Sequence, residues 1–291
     1  MSADEEGSSS LPHGSAVVAY SARTDVGRVR SVNEDAYLAA APVYLVADGM
    51  GGHARGDAAS AAVLETFRRH LEPDRSTTPE QVLDAIHSSN DAVRALSDEG
   101  EEGTAVAGTT LAGVALVDAG DGELRWMVFN VGDSRVYSWD GRRLEQISVD
   151  HSAVQELIDA GVIEPDEAER HPDRNVITRA LGADAFVEPD VWLLPATGRQ
   201  VFLVCSDGLT KEVDDETIAR VLAGGSGHAA GIAGELVDLA LERGGRDNVT
   251  AVVVESECGD VARADDETTR DREDAIRGVA DDTSPRQGPA E

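Results

Sequence analysis

The sequence predicts an α+β fold, a layered sandwich built on antiparallel sheets. Three observations carry this. Apolar strand-like runs alternate with helical stripes along residues 15–258. Several hairpin-type strands follow one another mid-chain, which fits poorly with a parallel βαβ sheet. No long linker and no internal repeat interrupts the span, so it reads as one domain.

The elements follow in order. VYLVA (43–47) is a buried strand. A helix starting near Asp57 puts Ala61, Leu64, Phe67 and Leu71 on one face. Thr78, Pro79, Glu80 and Gln81 form a capping box with proline at the first helical position. The helix they open carries Val82, Ile86, Val93 and Leu96 on one stripe. TTLAGVALV (109–117), LRWMVFNV (124–131) and RVYSW (135–139) are strands. Asp140-Gly141 is a tight hairpin turn into RRLEQI. Ser152 and Gln155 make a second capping box, and Gly161 ends that helix. VFLVC (201–205) is a buried strand, helices follow at roughly 215–223 and 229–243, and VTAVVVE (249–255) closes the domain. Tyr37, Trp126, Trp139 and Trp192 read as core or hairpin packing.

The flanks differ in composition. Residues 1–14 are polar, acidic and Gly/Ser-rich, and are expected to be a disordered lead-in. Residues 259–291 have almost no large apolar side chains and are expected to be a disordered acidic tail.

Charge narrows the function. The chain of 291 residues carries 56 acids against 25 bases, a net charge of −31. That disfavours nucleic acid, whose phosphates need Lys and Arg, and an anionic membrane surface. No run approaches a membrane span, no export signal is visible, and two cysteines do not make a disulfide framework. We expect a soluble cytoplasmic monomer. Lys211 is the only lysine among the 25 bases. Either a GC-rich genome or adaptation to high internal salt accounts for the skew to arginine and the acidity.

One feature repeats. An apolar strand borders an Asp in a Gly- or Asn-containing turn at Asp48-Gly49, Gly132-Asp133, Asp207-Gly208 and Asp247-Asn248, and an acidic pair, Glu34-Asp35, lies earlier. One Asp-Gly after a strand is ordinarily a turn. Four of them at strand ends can converge at one sheet edge, and glycine lets the backbone approach closely and offer a carbonyl. Clustered carboxylates suit a hard cation such as Mg²⁺ or Mn²⁺.

Together the segments RSVNED (30–35), DGMGGH (48–53), GTT (108–110), GDSR (132–135), DGL (207–209) and DNVT (247–250) resemble the metal-dependent serine/threonine protein phosphatases of the PPM (PP2C) family, bacterial or archaeal type. The resemblance implies a four-layer αββα sandwich with two antiparallel sheets. It implies two Mn²⁺ or Mg²⁺ ions, with a third weaker one. Asp48 is then the bridging ligand, the Gly49 carbonyl binds one ion, and Asp207 and Asp247 complete the centre. Asp35 with Glu34 holds metal-bound waters, Asp133 serves the third ion, and Arg30 clamps the substrate phosphate. A guanidinium fork fits two phosphate oxygens. Two metals about 3.5–4 Å apart lower the pKa of a bridging water and orient the hydroxide for in-line attack on phosphorus. The substrates implied are phosphoproteins bearing phosphoserine or phosphothreonine. Two settings are open: a circuit with a Hanks-type kinase or its substrates, or control of anti-sigma or anti-anti-sigma phosphorylation.

The chain departs from the animal enzymes at Met50, where they place a histidine proposed as general acid. His53 is the nearest imidazole, so the proton donor stays open between His53 and a metal-bound water. Residues 150–185 resemble the mobile flap of microbial members.

Other classes fit less well. A cysteine phosphatase needs Arg six positions after its Cys; Lys211 holds that place after Cys205. No Gly-Lys-Ser/Thr P-loop is present. Gly49 to Ala54 fits a weak dinucleotide fingerprint, but Asp48 repels a pyrophosphate. A catalytically silent sensor or binding module is the remaining alternative, disfavoured because every expected ligand is present.

Overall fold

The computed structural model describes residues 4–10, 16–51, 55–73, 75, 77–98, 107–121, 123–168, 170–225 and 229–258. The expected tail over 259–291 lies outside them.

The first sheet runs in the order Glu5–Ser10 (β1), Ala16–Asp25 (β2), Val249–Cys258 (β12), Gly198–Cys205 (β11), Arg135–Trp139 (β8) and Leu144–Gln146 (β9). The second runs Asp190–Pro195 (β10), Leu124–Val131 (β7), Leu111–Asp118 (β6), Val43–Met50 (β4) and Asp35–Ala40 (β3), with Gly108–Thr109 (β5) also on β4. Neighbouring strands in both sheets pair antiparallel.

Strand periodicity builds the layers. Tyr44 and Val46 of β4 point between the sheets, where they meet Trp126, Val128, Phe202, Val204, Val252 and Val254. Val43, Leu45 and Ala47 point the other way, onto helices Gly56–His70 (α1) and Pro79–Asp98 (α2) through Val63, Phe67, Val82 and Ile86. Leu203, Cys205, Ala251 and Val253 face Asp215–Gly224 (α6) and Ile232–Arg243 (α7) through Ile218, Leu236 and Val237. The central strands are thus buried on both faces, which is why VYLVA and VFLVC read as unbroken apolar runs. Burying each such Val, Leu or Phe contributes about 1.5–3 kcal/mol. The result is the expected sandwich, helices–sheet–sheet–helices.

Local signals hold with some corrections. The Thr78 box is reciprocal: Gln81 N donates to Thr78 Oγ1 at 3.3 Å and Thr78 N to Gln81 Oε1 at 3.0 Å. Only half of the Ser152 box forms on Ala153–Asp159 (α3), because the Gln155 side chain turns to Asp159 instead. On α1 the buried face runs through Ala59, Ser60, Val63 and Phe67, and Ala61 is exposed.

The expected disorder of the lead-in is corrected at Glu5–Ser10, which pairs along β2 from Ala22 to Val17. Pairing uses backbone, so polar composition does not prevent an edge strand. Glu5 also accepts hydrogen bonds from the hydroxyls of Tyr20 and Tyr37. Among the described residues no helix is long and apolar enough to cross a membrane.

Candidate active site

Register brings the acidic turns to one edge. Asp35 opposes Asp48, Cys205 opposes both Ala251 and Arg135, and Val249 opposes Asp25. The turns at 30–34, 48–49, 132–134, 206–208 and 247–248 therefore leave the two sheets at the same end.

Backbone contacts lock these turns together. Gly49 N donates to the Glu34 carbonyl, and a Cβ at 49 would lie 2.1 Å from the Gly56 carbonyl oxygen. A Cβ at 208 would lie 1.9 Å from the Asn248 carbonyl oxygen. Both Asp-Gly pairs need glycine for close approach. Asn248 receives the Glu34 N–H on its Oδ1 and donates through Nδ2 to the carbonyls of Val26 and Val32. That single side chain stitches the RSVNED loop to the start of β12.

GTT has a similar role. Thr110 Oγ1 accepts from Asp48 N at 3.0 Å, while Thr109 Oγ1 and Thr110 N donate to the Asp48 carbonyl at 2.9 Å each. Thr110 Oγ1 also meets Ser134 Oγ at 2.7 Å, tying the Asp48 and Asp133 turns. Gly132 N donates to His151 Nδ1 at 2.9 Å, and His151 Nε2 lies 3.0 Å from Arg179 Nη1 and 3.3 Å from Asp190 Oδ2.

The carboxylates sit close enough to repel. Burial is the main force on Asp48, and the charges of Asp35, Asp207, Asp133 and Asp247 add to it, so its carboxyl lies well above the usual range. Burial lifts Asp35 to about 7, although hydrogen bonds from Thr250 and Ser206 pull it down. Burial and then Asp207 lift Asp133 to about 7. Asp207 is raised by burial despite Lys211 beside it. Cys205 is pushed up to about 12 by burial, an inert core thiol.

These residues suit hard cations. Asp35 Oδ1, Asp133 Oδ1 and Asp207 Oδ1 are buried without a hydrogen-bond partner among the described residues. The donors are all oxygen, which is what Mn²⁺ and Mg²⁺ take. Among the described residues, no three His, Cys, Asp or Glu side chains are already set as a cage. Three of the carboxylates are paired within the protein. Asp207 turns to Lys211, and Asp247 receives Arg30 Nε at 2.9 Å and Nη2 at 3.0 Å. Asp35 Oδ2 accepts from Ser206 Oγ and Thr250 Oγ1, each at 2.7 Å.

Asp35, Asp48, Asp133, Asp207 and Asp247 are thus brought together, with Arg30 on Asp247. Glu34 contributes chiefly backbone, and its carboxylate lies against Gly56 at the start of α1. His53 lies outside the described residues. Met50 holds the place after Gly49, on β4. The expected flap borders the site: Asp150, Ser152, Arg174 and Asn175 line one cavity of 680 Å³ with Asp133, Asp207 and Asp247. Sequence alone gives no role to Ser206, Thr250, Asn248, Ser134 or His151, although Ser134 lies within GDSR and Asn248 and Thr250 within DNVT. Ser206 adjoins DGL, and a hydroxyl beside a buried carboxylate was the available signal.

A protein-family model described as protein phosphatase 2C matches residues 27–228. The chain is 40% identical over 241 residues to serine/threonine protein phosphatase PstP of Mycobacterium tuberculosis, covering 82% of this chain and 45% of that protein. It therefore spans less than half the length of that relative. It is 33% identical over 242 residues to serine/threonine phosphatase stp of Listeria monocytogenes, covering 80% of this chain and 94% of that one. A crystal structure of the PstP catalytic domain in complex with two manganese ions matches with a TM-score of 0.72 at 38% identity, covering 83% of this chain and 99% of that chain.

Two facing antiparallel sheets with an acidic centre at one edge define the class, an αββα sandwich of the PPM type. The chain belongs to the protein phosphatase 2C family.

Proposed function

We propose that this chain removes phosphate from phosphoserine and phosphothreonine in proteins, using two Mn²⁺ or Mg²⁺ ions. The observation that carries this is the convergence of five aspartates, three of them with buried unpartnered oxygens, beside an arginine fork. The manganese-bound PstP structure supports the choice of ion. Asp48, the Gly49 carbonyl, Asp207 and Asp247 hold the two ions, and Asp133 serves a third. When bound, the ions supply a nucleophile at neutral pH and offset charge on the phosphoryl oxygens.

The chain's own residues do the rest. Arg30 Nε and Nη2, now on Asp247, form the same fork that grips two phosphoryl oxygens. Ser206 and Thr250 hold Asp35 Oδ2, which leaves Oδ1 to orient and accept a proton from water, with Glu34 at its side in the chain. Thr109 and Thr110 fix the Asp48 backbone, so its carboxylate needs little reorganisation. His53 or a water returns a proton to the leaving alkoxide. The partner reaction is a cytoplasmic kinase of the Hanks type that phosphorylates the same hydroxyls, and the phosphatase acts as a monomer.

The test is phosphate release from an aryl phosphate and a phosphothreonine peptide with EDTA, Mg²⁺ or Mn²⁺. Metal-dependent release from both is expected. No release from folded protein under any metal condition overturns the proposal.

A further inference from the structure

We infer that Lys211 sets the metal affinity of the acidic centre by competing with divalent cations for the carboxylate of Asp207. This rests on the two-ion reading above. Three observations support it. The first is compositional: Lys211 is the only lysine among 25 basic residues, and every other base is arginine. The exception falls in the acidic centre and nowhere else.

The second is local geometry. Asp207–Thr210 (α5) is one short helical turn that continues to Lys211, whose N–H donates to the Asp207 carbonyl at 2.8 Å. Residues four apart on such a turn share a face. Lys211 Nζ accordingly pairs with Asp207 Oδ2 and lies 3.9 Å from Asp247 Oδ2. Lys211 lines the same cavity as Asp133, Asp207 and Asp247.

The third is chemical. An ammonium is a compact charge with three donors on a flexible stem, whereas a guanidinium is a rigid planar fork. Only the ammonium can sit among carboxylate oxygens as a small cation does and withdraw by rotating its stem. Asp207 Oδ1 stays buried and unpartnered beside it, so one carboxylate is shared between an internal cation and an acceptor position. A divalent ion taking Asp207 must weaken the Lys211 pair and bear its positive charge nearby. The centre therefore binds metal less tightly than its carboxylates alone dictate, and occupancy follows the metal concentration.

The experiment is calorimetric titration of Mn²⁺ into the full chain, the Lys211→Met variant and the Lys211→Arg variant. Lys211→Met is expected to bind Mn²⁺ on the order of tenfold more tightly, the effect of removing one charge a few ångströms away. Lys211→Arg is expected to bind no more tightly than the unaltered protein. Equal affinity of Lys211→Met and the unaltered chain overturns the inference and leaves the two-ion reading standing. No Mn²⁺ binding by any of the three overturns both. A second readout uses the unaltered protein, where amine acylation has one lysine target. Mn²⁺ is expected to accelerate labelling of Lys211, with the N-terminal amine as internal reference. A rate indifferent to Mn²⁺ overturns the inference even if Lys211→Met fails to fold.

Discussion

Asp35 and Asp48 stand directly opposite each other across the β3–β4 ladder, so two carboxylates leave adjacent strands on the same face. Opposed residues have Cβ atoms about 4.5–5.5 Å apart, and like charges there destabilise a sheet. The protein tolerates this pair at the point where Asp133, Asp207 and Asp247 also converge. A strand pair chosen for stability alone has no use for such a row.

Asp48→Asn therefore separates stability from activity. The substitution removes one buried charge and keeps the shape. Phosphate release is expected to fall about a thousandfold or more, the several kcal/mol that metal-assisted chemistry supplies. Melting in EDTA is expected to rise, and stabilisation by Mn²⁺ to be lost. Asp207→Asn is expected to lose activity likewise. Near-normal turnover in both variants refutes the ligand assignment.

The same repulsion gives a pH dependence. Asp35 and Asp133 titrate near 7 in the folded protein, and Asp48 higher than an ordinary carboxylate. In the unfolded chain they ionise near 3.9. Between those values the folded state holds more protons, so stability falls as pH rises from about 4 through about 7. Chelated protein is expected to melt lower at pH 7.5 than at pH 5.5. The net charge of −31 pushes in the same direction, so Asp35→Asn provides the control. Its slope should be shallower, and an identical slope counts against the site as the cause.

Legibility followed how much of each signal was local. Strands buried on both faces, such as Val43–Met50 and Gly198–Cys205, stand out because their apolar runs are unbroken. Asp190–Pro195 has no fully buried side chain and Ala16–Asp25 only scattered ones, at Ala16, Val18, Ser21 and Ala22, so neither presents the unbroken apolar run that marks a central strand. Glu5–Ser10 has no apolar side chain at all, and its pairing exists only in three dimensions. At the site, each Asp-Gly turn was visible, but their supports were not. Asn248 reaches back 216 residues to Val32, and Ser206 reaches 171 to Asp35. No spacing rule in one sequence links such partners.

Arg30→Ala is expected to act on binding. The fork on Asp247 is the only pairing of Arg30 among the described residues, and the side chain is half exposed. It can exchange one carboxylate for a phosphate at little cost in packing. The expected result is a KM for the phosphopeptide raised about tenfold or more with kcat changed less, as for an interaction present before the transition state. An unchanged KM removes Arg30 from the phosphate site.

Acidity itself can be tested by salt. At about 0.01 M salt many of the surface charges interact over about 30 Å, and molar salt shortens that to about 3 Å. Melting followed by far-UV circular dichroism is expected to climb from low to molar KCl. A flat response assigns the arginine skew and the acidity to genome composition.

The Asp35 cradle shows how supports outside the ligand set control the centre. Ser206 and Thr250 both donate to Asp35 Oδ2, and Ser206 Oγ in turn accepts from Thr250 N at 3.0 Å. The three residues join the strand ends of both sheets. Thr250→Val keeps the branched shape and removes one donor from a buried carboxylate together with the 2.7 Å contact to Thr24 Oγ1, so it is expected to cost about 1–3 kcal/mol of stability near neutral pH. The loss should shrink as pH falls, because a protonated Asp35 demands less from its donors. Ser206→Ala removes a donor and an acceptor together and is expected to cost more. If Thr250→Val and Ser206→Ala both melt like the unaltered protein at pH 7.5, the cradle does not act through the Asp35 carboxylate.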